Sequence, residues 1–204
     1  MNINKLLPLV VLPLLLNTPA LHAQDLELKR MMESSFQTKG IANTDRLVQD
    51  ENQRACSTLL KGQAQISAKQ QAKLEKNNLN LVVYPSDGVY LGNWKEGEKI
   101  AQSGKGATWS DKADDVNGGG CYNCHQLDKK EISYGTIGPT LYNYGKIRGQ
   151  DEAVLKYTWG KLYNSKAYNA CSVMPRFGHF KLLTENQLRD LMALLLDPQS
   201  PVNQ

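Results

Sequence analysis

Long hydrophobic runs are scarce in this 204-residue chain: the longest, Leu6 to Leu16, spans 11 residues and contains Pro8 and Pro13. A helix needs about 20 apolar residues to cross a bilayer, so no membrane span is expected. Basic runs are missing as well. The chain has 24 Lys+Arg against 20 Asp+Glu, a net charge of +4, and no five consecutive basic residues. That excludes a nucleic-acid binder held mainly by phosphate contacts. Charged residues make up 22% and hydrophobic ones 41%, a balance that excludes wholesale disorder. Histidine is rare: apart from His22 near the N-terminus there are only His125 and His179. Aromatics are almost absent before residue 84, where Phe36 stands alone.

What the N-terminus does contain is a short positive start, Met1-Asn-Ile-Asn-Lys5, then the apolar run, then Thr18-Pro-Ala-Leu-His-Ala23 before the polar Gln24-Asp25. This is the layout of a secretory signal peptide. Residues 1–23 are therefore expected to be a cleaved leader and the protein to be periplasmic. Leu21 at the −3 position is larger than the usual small residue, which leaves cleavage after Ala20 open. The competing reading is a buried N-terminal helix, which two prolines inside the run weaken. An exported chain folds in an oxidising compartment, where disulfides persist.

Composition shifts near residue 84. Every Tyr and Trp lies between Tyr84 and Tyr168, and 14 of the 16 glycines lie at or after Gly88. Two regions follow: residues 24–91 as a helical extension ending in a small hairpin, and residues 92–204 as a compact domain. Leu47, Val48, Ala55, Leu59 and Leu60 predict helix within Thr44–Leu60, and a second stretch is expected over Ile66–Lys76. Leu79, Leu81 and Val83 alternate before the turn sequence Pro85-Ser-Asp-Gly88, which predicts the hairpin. In the compact region, helices are expected over Trp94–Gln102 and Asp151–Tyr163. The most legible helix follows Thr184-Glu-Asn-Gln187, a capping box; Leu188, Leu191, Met192 and Leu195 form its apolar stripe, and Asp197-Pro198 stops it. The fold class is mainly α.

The chemistry is concentrated in Cys121-Tyr-Asn-Cys124-His125, the C-x-x-C-H signature of covalent haem attachment. Each thiol adds to one vinyl group of haem c, and the adjacent His125 becomes the proximal iron ligand. Three readings compete. A zinc site needs a second ligand pair, and Cys56, Cys171 and His179 are not spaced to supply one. A thioredoxin-type pair needs a βαβ setting, and a plain disulfide has no need of His125. The sixth ligand is expected from Met174, in the loop Cys171-Ser-Val-Met-Pro-Arg-Phe-Gly178 between two helices. Met192 lies in a helix stripe, and Met31 and Met32 in the extension. The alternatives are Met174 as a gap-filling hydrophobe and His179 as the ligand. Cys56 and Cys171 remain; an even remainder in an exported chain favours a disulfide between them, against two buried free thiols.

Ile137-Gly-Pro139-Thr-Leu141 followed by Gly145-Lys-Ile-Arg148 resembles the class I cytochrome c pattern. The resemblance implies that the Pro139 carbonyl accepts a hydrogen bond from the His125 ring, and that Gly97 permits close approach of the first helix of residues 92–204 to the Leu191 stripe. It also makes 92–204 a class I cytochrome c domain carrying an N-terminal helical extension. A narrower resemblance covers almost all of the chain beyond the leader. Trp94-Lys-Glu-Gly-Glu, Ile100-Ala-Gln-Ser-Gly104, Ser133-Tyr-Gly-Thr-Ile-Gly-Pro139, Tyr144-Gly-Lys-Ile-Arg-Gly149, the Met174 loop and Leu195-Leu-Asp-Pro-Gln-Ser-Pro-Val-Asn203 are similar to the SoxX family. Arg54-Ala-Cys56 in the extension resembles its longer members.

That family supplies the monohaem cytochrome subunit of SoxAX, which oxidatively joins thiosulfate to a cysteine of a carrier protein. The resemblance implies a SoxA-type partner with the catalytic haem, a soluble cytochrome c as electron acceptor, and no catalytic site in this chain. Two other classes stay open. One is a free-standing electron shuttle, distinguished by the absence of a co-purifying cytochrome. The other is a haem enzyme or gas binder with an open iron, distinguished by ferrous haem that takes up carbon monoxide.

Overall fold

The Thr184 box closes as written. Its hydroxyl accepts from the Gln187 N–H while the Gln187 side chain accepts from the Thr184 N–H, starting a helix over Glu185–Leu196. Leu188, Leu191, Met192, Ala193, Leu194, Leu195 and Leu196 are all buried. A stripe of four was expected; a helix apolar on nearly every side at its C-terminal half is instead surrounded by other elements.

The computed structural model describes residues 19–60 and 66–204. The chain divides into two units, residues 1–38 and Lys39–Gln204. The first contains helix α1, Pro19–Ser35; residues 1–18 of the expected leader lie outside the described residues. The second holds α2 (Glu51–Leu60), α3 (Ala68–Leu79), α4 (Trp94–Gln102), α5 (Tyr144–Arg148), α6 (Glu152–Tyr163) and α7 (Glu185–Leu196), joined by loops and short 3-10 turns. Residues 39–91 of the expected extension thus share one unit with residues 92–204. Among the described residues there is no β-strand, only an isolated bridge between Lys39 and Ala42, so the protein is mainly α. No helix among them is long and apolar enough to cross a membrane.

α4 starts at Asn93, whose side chain accepts from the Lys95 N–H at 3.0 Å, and it packs on α7. Two backbone anchors fix the approach: the Gly92 N–H donates to the Arg189 carbonyl at 2.9 Å, and the Asn93 N–H to the Asp190 carboxylate at 2.7 Å. A Cβ placed on Gly97 would sit 2.7 Å from the Asp190 carbonyl carbon and 3.0 Å from the Leu194 Cβ. Alanine favours a helix over glycine by about 1 kcal/mol, but here the added methyl meets backbone that no rotamer change relieves. Gly97→Ala is expected to destabilise by about 1–3 kcal/mol, read as a lower urea midpoint at constant slope.

α6 begins at Asp151, which accepts from the Val154 N–H at 2.8 Å. Its Trp159 is buried, stacks edge-on with Tyr90 at 5.8 Å between centroids, and donates its indole N–H to the Val83 carbonyl at 2.8 Å. That bond accounts for one departure from expectation. The Pro85–Gly88 turn forms, with the Gly88 N–H on the Pro85 carbonyl at 3.2 Å, but its flanks are not paired strands. Leu79 ends α3, and the Val83 carbonyl is taken by Trp159. The hairpin is therefore a turn without a ladder.

The Thr44–Leu60 stretch also differs. It splits into a 3-10 turn, Thr44–Leu47, and α2 from Glu51. Asp50 causes the break: its carboxylate accepts from the Gln53 N–H and the Gln53 side chain accepts from the Asp50 N–H, both at 2.8 Å. Asp50 does here what Ser or Thr does in a capping box. α3 starts two residues later than expected because Ser67 caps it, and runs on to Leu79, burying Leu74 and Asn78.

Candidate functional site

Cys121–Asn123 form a 3-10 turn entered through Gly120, whose φ of +57° suits glycine. The Cys121 carbonyl accepts from the N–H groups of both Cys124, at 3.1 Å, and His125, at 2.9 Å. The following segment is laced to this turn. Gly135 donates to the Tyr122 carbonyl, Gly138 to that of Cys124 and Leu141 to that of Gln126, each at 2.8 Å. Gly138 lies against the His125 ring so closely that an added Cβ would overlap it. The His125 Nδ1 is 2.7 Å from the Pro139 carbonyl oxygen. A carbonyl only accepts, so Nδ1 carries the proton and the Nε2 lone pair is left for a ligand.

One cavity of about 910 Å³ is lined by Cys121, Cys124, His125, Pro139 and Met174 together. That size suits a cofactor, for which about 300–1,000 Å³ is usual. Leu141, Leu162, Phe177 and Leu195 line it as well, and so do Ile137, Ile147 and Val173. The last three are 73%, 76% and 82% exposed. Three aliphatic side chains lining the cavity and left this exposed among the described residues favour a large apolar occupant. Arg148 and Lys161 also line the cavity, and among the described residues no Asp or Glu does.

Burial pushes the Cys121 thiol up to about 12. A thiol that stays protonated at neutral pH is a poor redox nucleophile, which weighs against the thioredoxin-type reading. Cys121 and Cys124 are not bonded to each other, and among the described residues no three His, Cys, Asp or Glu side chains converge as a zinc site requires. The other two cysteines are joined: Cys56 and Cys171 form a disulfide, with Cα atoms 5.5 Å apart.

Met174 sits in a pinned loop. Its N–H donates to the Ser172 hydroxyl at 3.2 Å and its carbonyl accepts from the Ser165 hydroxyl at 2.7 Å. His179 is not part of the cavity lining. Its N–H donates to the Tyr163 carbonyl and its ring packs edge-on against Phe180, 4.9 Å between centroids. Burial, and then the Arg176 guanidinium, hold His179 below its ordinary pKa, against the opposing pull of Asp50. Met192 is 0% exposed in the middle of α7.

Sequence reasoning missed the polar groups behind the Met174 loop. Asp50 pairs with Arg176, which is 6% exposed, and Asn52 donates to the Ala170 carbonyl at 3.0 Å. Asn78 donates to Asn52 at 2.8 Å, and Asn164 donates to Asn78 at 3.0 Å. The Asp50-x-x-Gln53 pair was the one available signal. Burial alone would raise the Asp50 carboxyl; the hydrogen bond from Gln53 and then the bond and charge of Arg176 outweigh it and leave it lowered. A depressed carboxylate adds stability that is complete above about pH 4 and is lost as pH falls through the folded-state pKa. Asp50→Asn is accordingly expected to flatten the acid limb of a plot of melting temperature against pH.

No protein-family model matches the chain. Over 157 residues it is 37% identical to a protein described as "Uncharacterized lipoprotein" from Aquifex aeolicus (strain VF5), covering 76% of this chain and 73% of that protein. An identity of this level along three quarters of both chains makes the two homologous, and the protein belongs to the same family as that Aquifex lipoprotein.

Proposed function

We propose that this protein is an exported monohaem c-type cytochrome of class I fold, acting as the electron-transfer subunit of a SoxAX-type complex. The observation that carries the cytochrome reading is the Nδ1–H donation from His125 to Pro139 at 2.7 Å, beside two unpaired thiols and Met174 on a single cavity. The residues fit a haem. Cys121 and Cys124 would hold it covalently, His125 Nε2 and the Met174 sulfur would be the axial donors, and the apolar walls would exclude water. When bound, the haem supplies a one-electron Fe(III)/Fe(II) couple. The Pro139 carbonyl fixes the imidazole plane and raises the basicity of Nε2. Arg148 and Lys161 add positive charge at the cavity, and an uncharged thioether donor favours the reduced state.

The subunit reading rests on the resemblance to the SoxX family. In that family the joining of thiosulfate to the carrier cysteine takes place on the SoxA-type partner, and the same division of labour is proposed here. This chain would pass the electrons to a soluble cytochrome c, and the enzyme activity, L-cysteine S-thiosulfotransferase, would belong to the heterodimer. Periplasmic location follows from the expected leader, and the Aquifex relative's description as a lipoprotein points to export too.

The test is affinity capture of the native protein followed by denaturing electrophoresis and haem staining. A stained band at this chain's mass, a second cytochrome in the eluate, and thiosulfate-dependent reduction of an acceptor only with both chains are expected. An unstained band would end the cytochrome reading. A stained chain that elutes alone would favour the free-standing shuttle.

A further inference from the structure

We propose that the extension helix α2 and the residue that caps it are the positioning device for Met174, holding the methionine side of the cavity in place. This rests on the haem reading above and adds residues that it does not require. The loop 171–178 has no regular structure among its residues, and its conformational freedom opposes holding one weak thioether donor in place. Three ties run from α2 and its cap to this loop and the residue before it. Cys56 is bonded to Cys171, which itself lines the cavity. Asn52, buried, donates to the Ala170 carbonyl at 3.0 Å. Asp50 pairs with the buried Arg176, two residues beyond Met174. The ties therefore bracket Met174 on both sides in sequence. Within the bracket the Ser172 and Ser165 hydroxyls hold its N–H and carbonyl. Removing Asp50 would leave a buried guanidinium without its countercharge, and removing the disulfide would free the loop's first residue.

The experiment uses the full holoprotein, with covalent haem verified by staining, as wild type, Cys56→Ser/Cys171→Ser, Asp50→Asn and, as a control for general destabilisation, Gly97→Ala. Two quantities are read well below the melting temperature: the weak long-wavelength band of oxidised Met-ligated haem, and the fraction of ferrous haem that combines with a fixed, sub-saturating level of carbon monoxide. Carbon monoxide binds only molecules in which the methionine is off, so its apparent affinity tracks that population. Both loop-releasing variants are expected to weaken the band and to raise the carbon monoxide-bound fraction at least about tenfold. Gly97→Ala should match wild type in both readings.

Wild-type readings in the two releasing variants, at full haem attachment, would overturn the positioning role. Equal effects from Gly97→Ala would overturn it too, by reducing it to overall stability. If the double serine variant does not accumulate, Asn52→Ala joins Asp50→Asn in its place. A wild-type holoprotein that lacks the band would instead refute Met174 as ligand, and the positioning role with it. Failure to stain would refute the haem.

Discussion

Replacing Cys56 and Cys171 together by serine is expected to lower the unfolding free energy by about 4–5 kcal/mol. The bridge spans a sequence separation of 115 residues, so the unfolded chain it constrains is a large loop, and the entropy removed grows with the logarithm of loop size. Domains are typically stable by about 5–15 kcal/mol, so this one change removes roughly a quarter or more of the margin. Urea unfolding of the two forms, each fitted with its own slope, measures it. The slope should rise in the variant, because an uncrosslinked unfolded chain exposes more surface. A loss under about 1 kcal/mol would mean that native-state strain or residual unfolded structure cancels the entropy term. An independent check is chemical: in denatured, unreduced wild-type protein, neither Cys56 nor Cys171 should be alkylated.

That this pair would be joined was legible from arithmetic alone, since four cysteines less the two of C-x-x-C-H leave two. What the bridge does was not legible, because its meaning lies in which loop Cys171 belongs to and in what α2 touches. In residues 92–204, α4, α6 and α7 match the expected helices for a related reason, whereas the short α5, Tyr144–Arg148, has no such signal and was not expected. Thr184-x-x-Gln187, Asp151 and Asn93 are local start signals that act within one turn, and tertiary packing has no need to override them. The hairpin failed where tertiary packing did intervene. Alternation at Leu79, Leu81 and Val83 is a local pattern, yet the indole N–H of Trp159, 76 residues on, takes the Val83 carbonyl. α7 was legible in position and under-read in burial. A stripe of four predicts one covered face; the sequence does not say that α4, α5 and α6 all pack against it.

The site divides in the same way. C-x-x-C-H and the Pro139 segment are contiguous or nearly so, and the chain's resemblance to class I cytochromes c made the His125–Pro139 bond an expectation. The Asp50–Arg176 pair spans 126 residues, and Asn52 lies in α2, Asn78 in α3 and Asn164 just past the end of α6. Single polar residues in a solvated-looking sequence carry no mark of burial. Only the fold supplies it.

On the proposed haem reading, Met174→Ala should abolish the long-wavelength band of the oxidised protein, lower the reduction potential and open the ferrous form to carbon monoxide, while leaving covalent attachment through Cys121 and Cys124 intact. Three sulfur or nitrogen side chains compete for this role, and their surroundings separate them. Met192 is 0% exposed between the leucines of α7, and a side chain packed on all sides is volume; Met192→Leu should cost less than about 1.5 kcal/mol and leave the spectrum unchanged. His179 lies outside the cavity lining, with its ring against Phe180, so His179→Ala should also leave the spectrum unchanged. Met174 is half-buried on the cavity wall with its backbone held at both ends. A gap-filling methionine there would be replaced by leucine with little consequence, whereas a ligand would not. Met174→Leu is therefore the sharper variant: it keeps the volume and removes the sulfur. Loss of the band and gain of carbon monoxide binding in Met174→Leu, with a melting temperature for the haem-free protein close to wild type, is the expected result. A wild-type spectrum in Met174→Leu, with the band lost in His179→Ala, would move the sixth position to His179 and require the loop to rearrange around the iron.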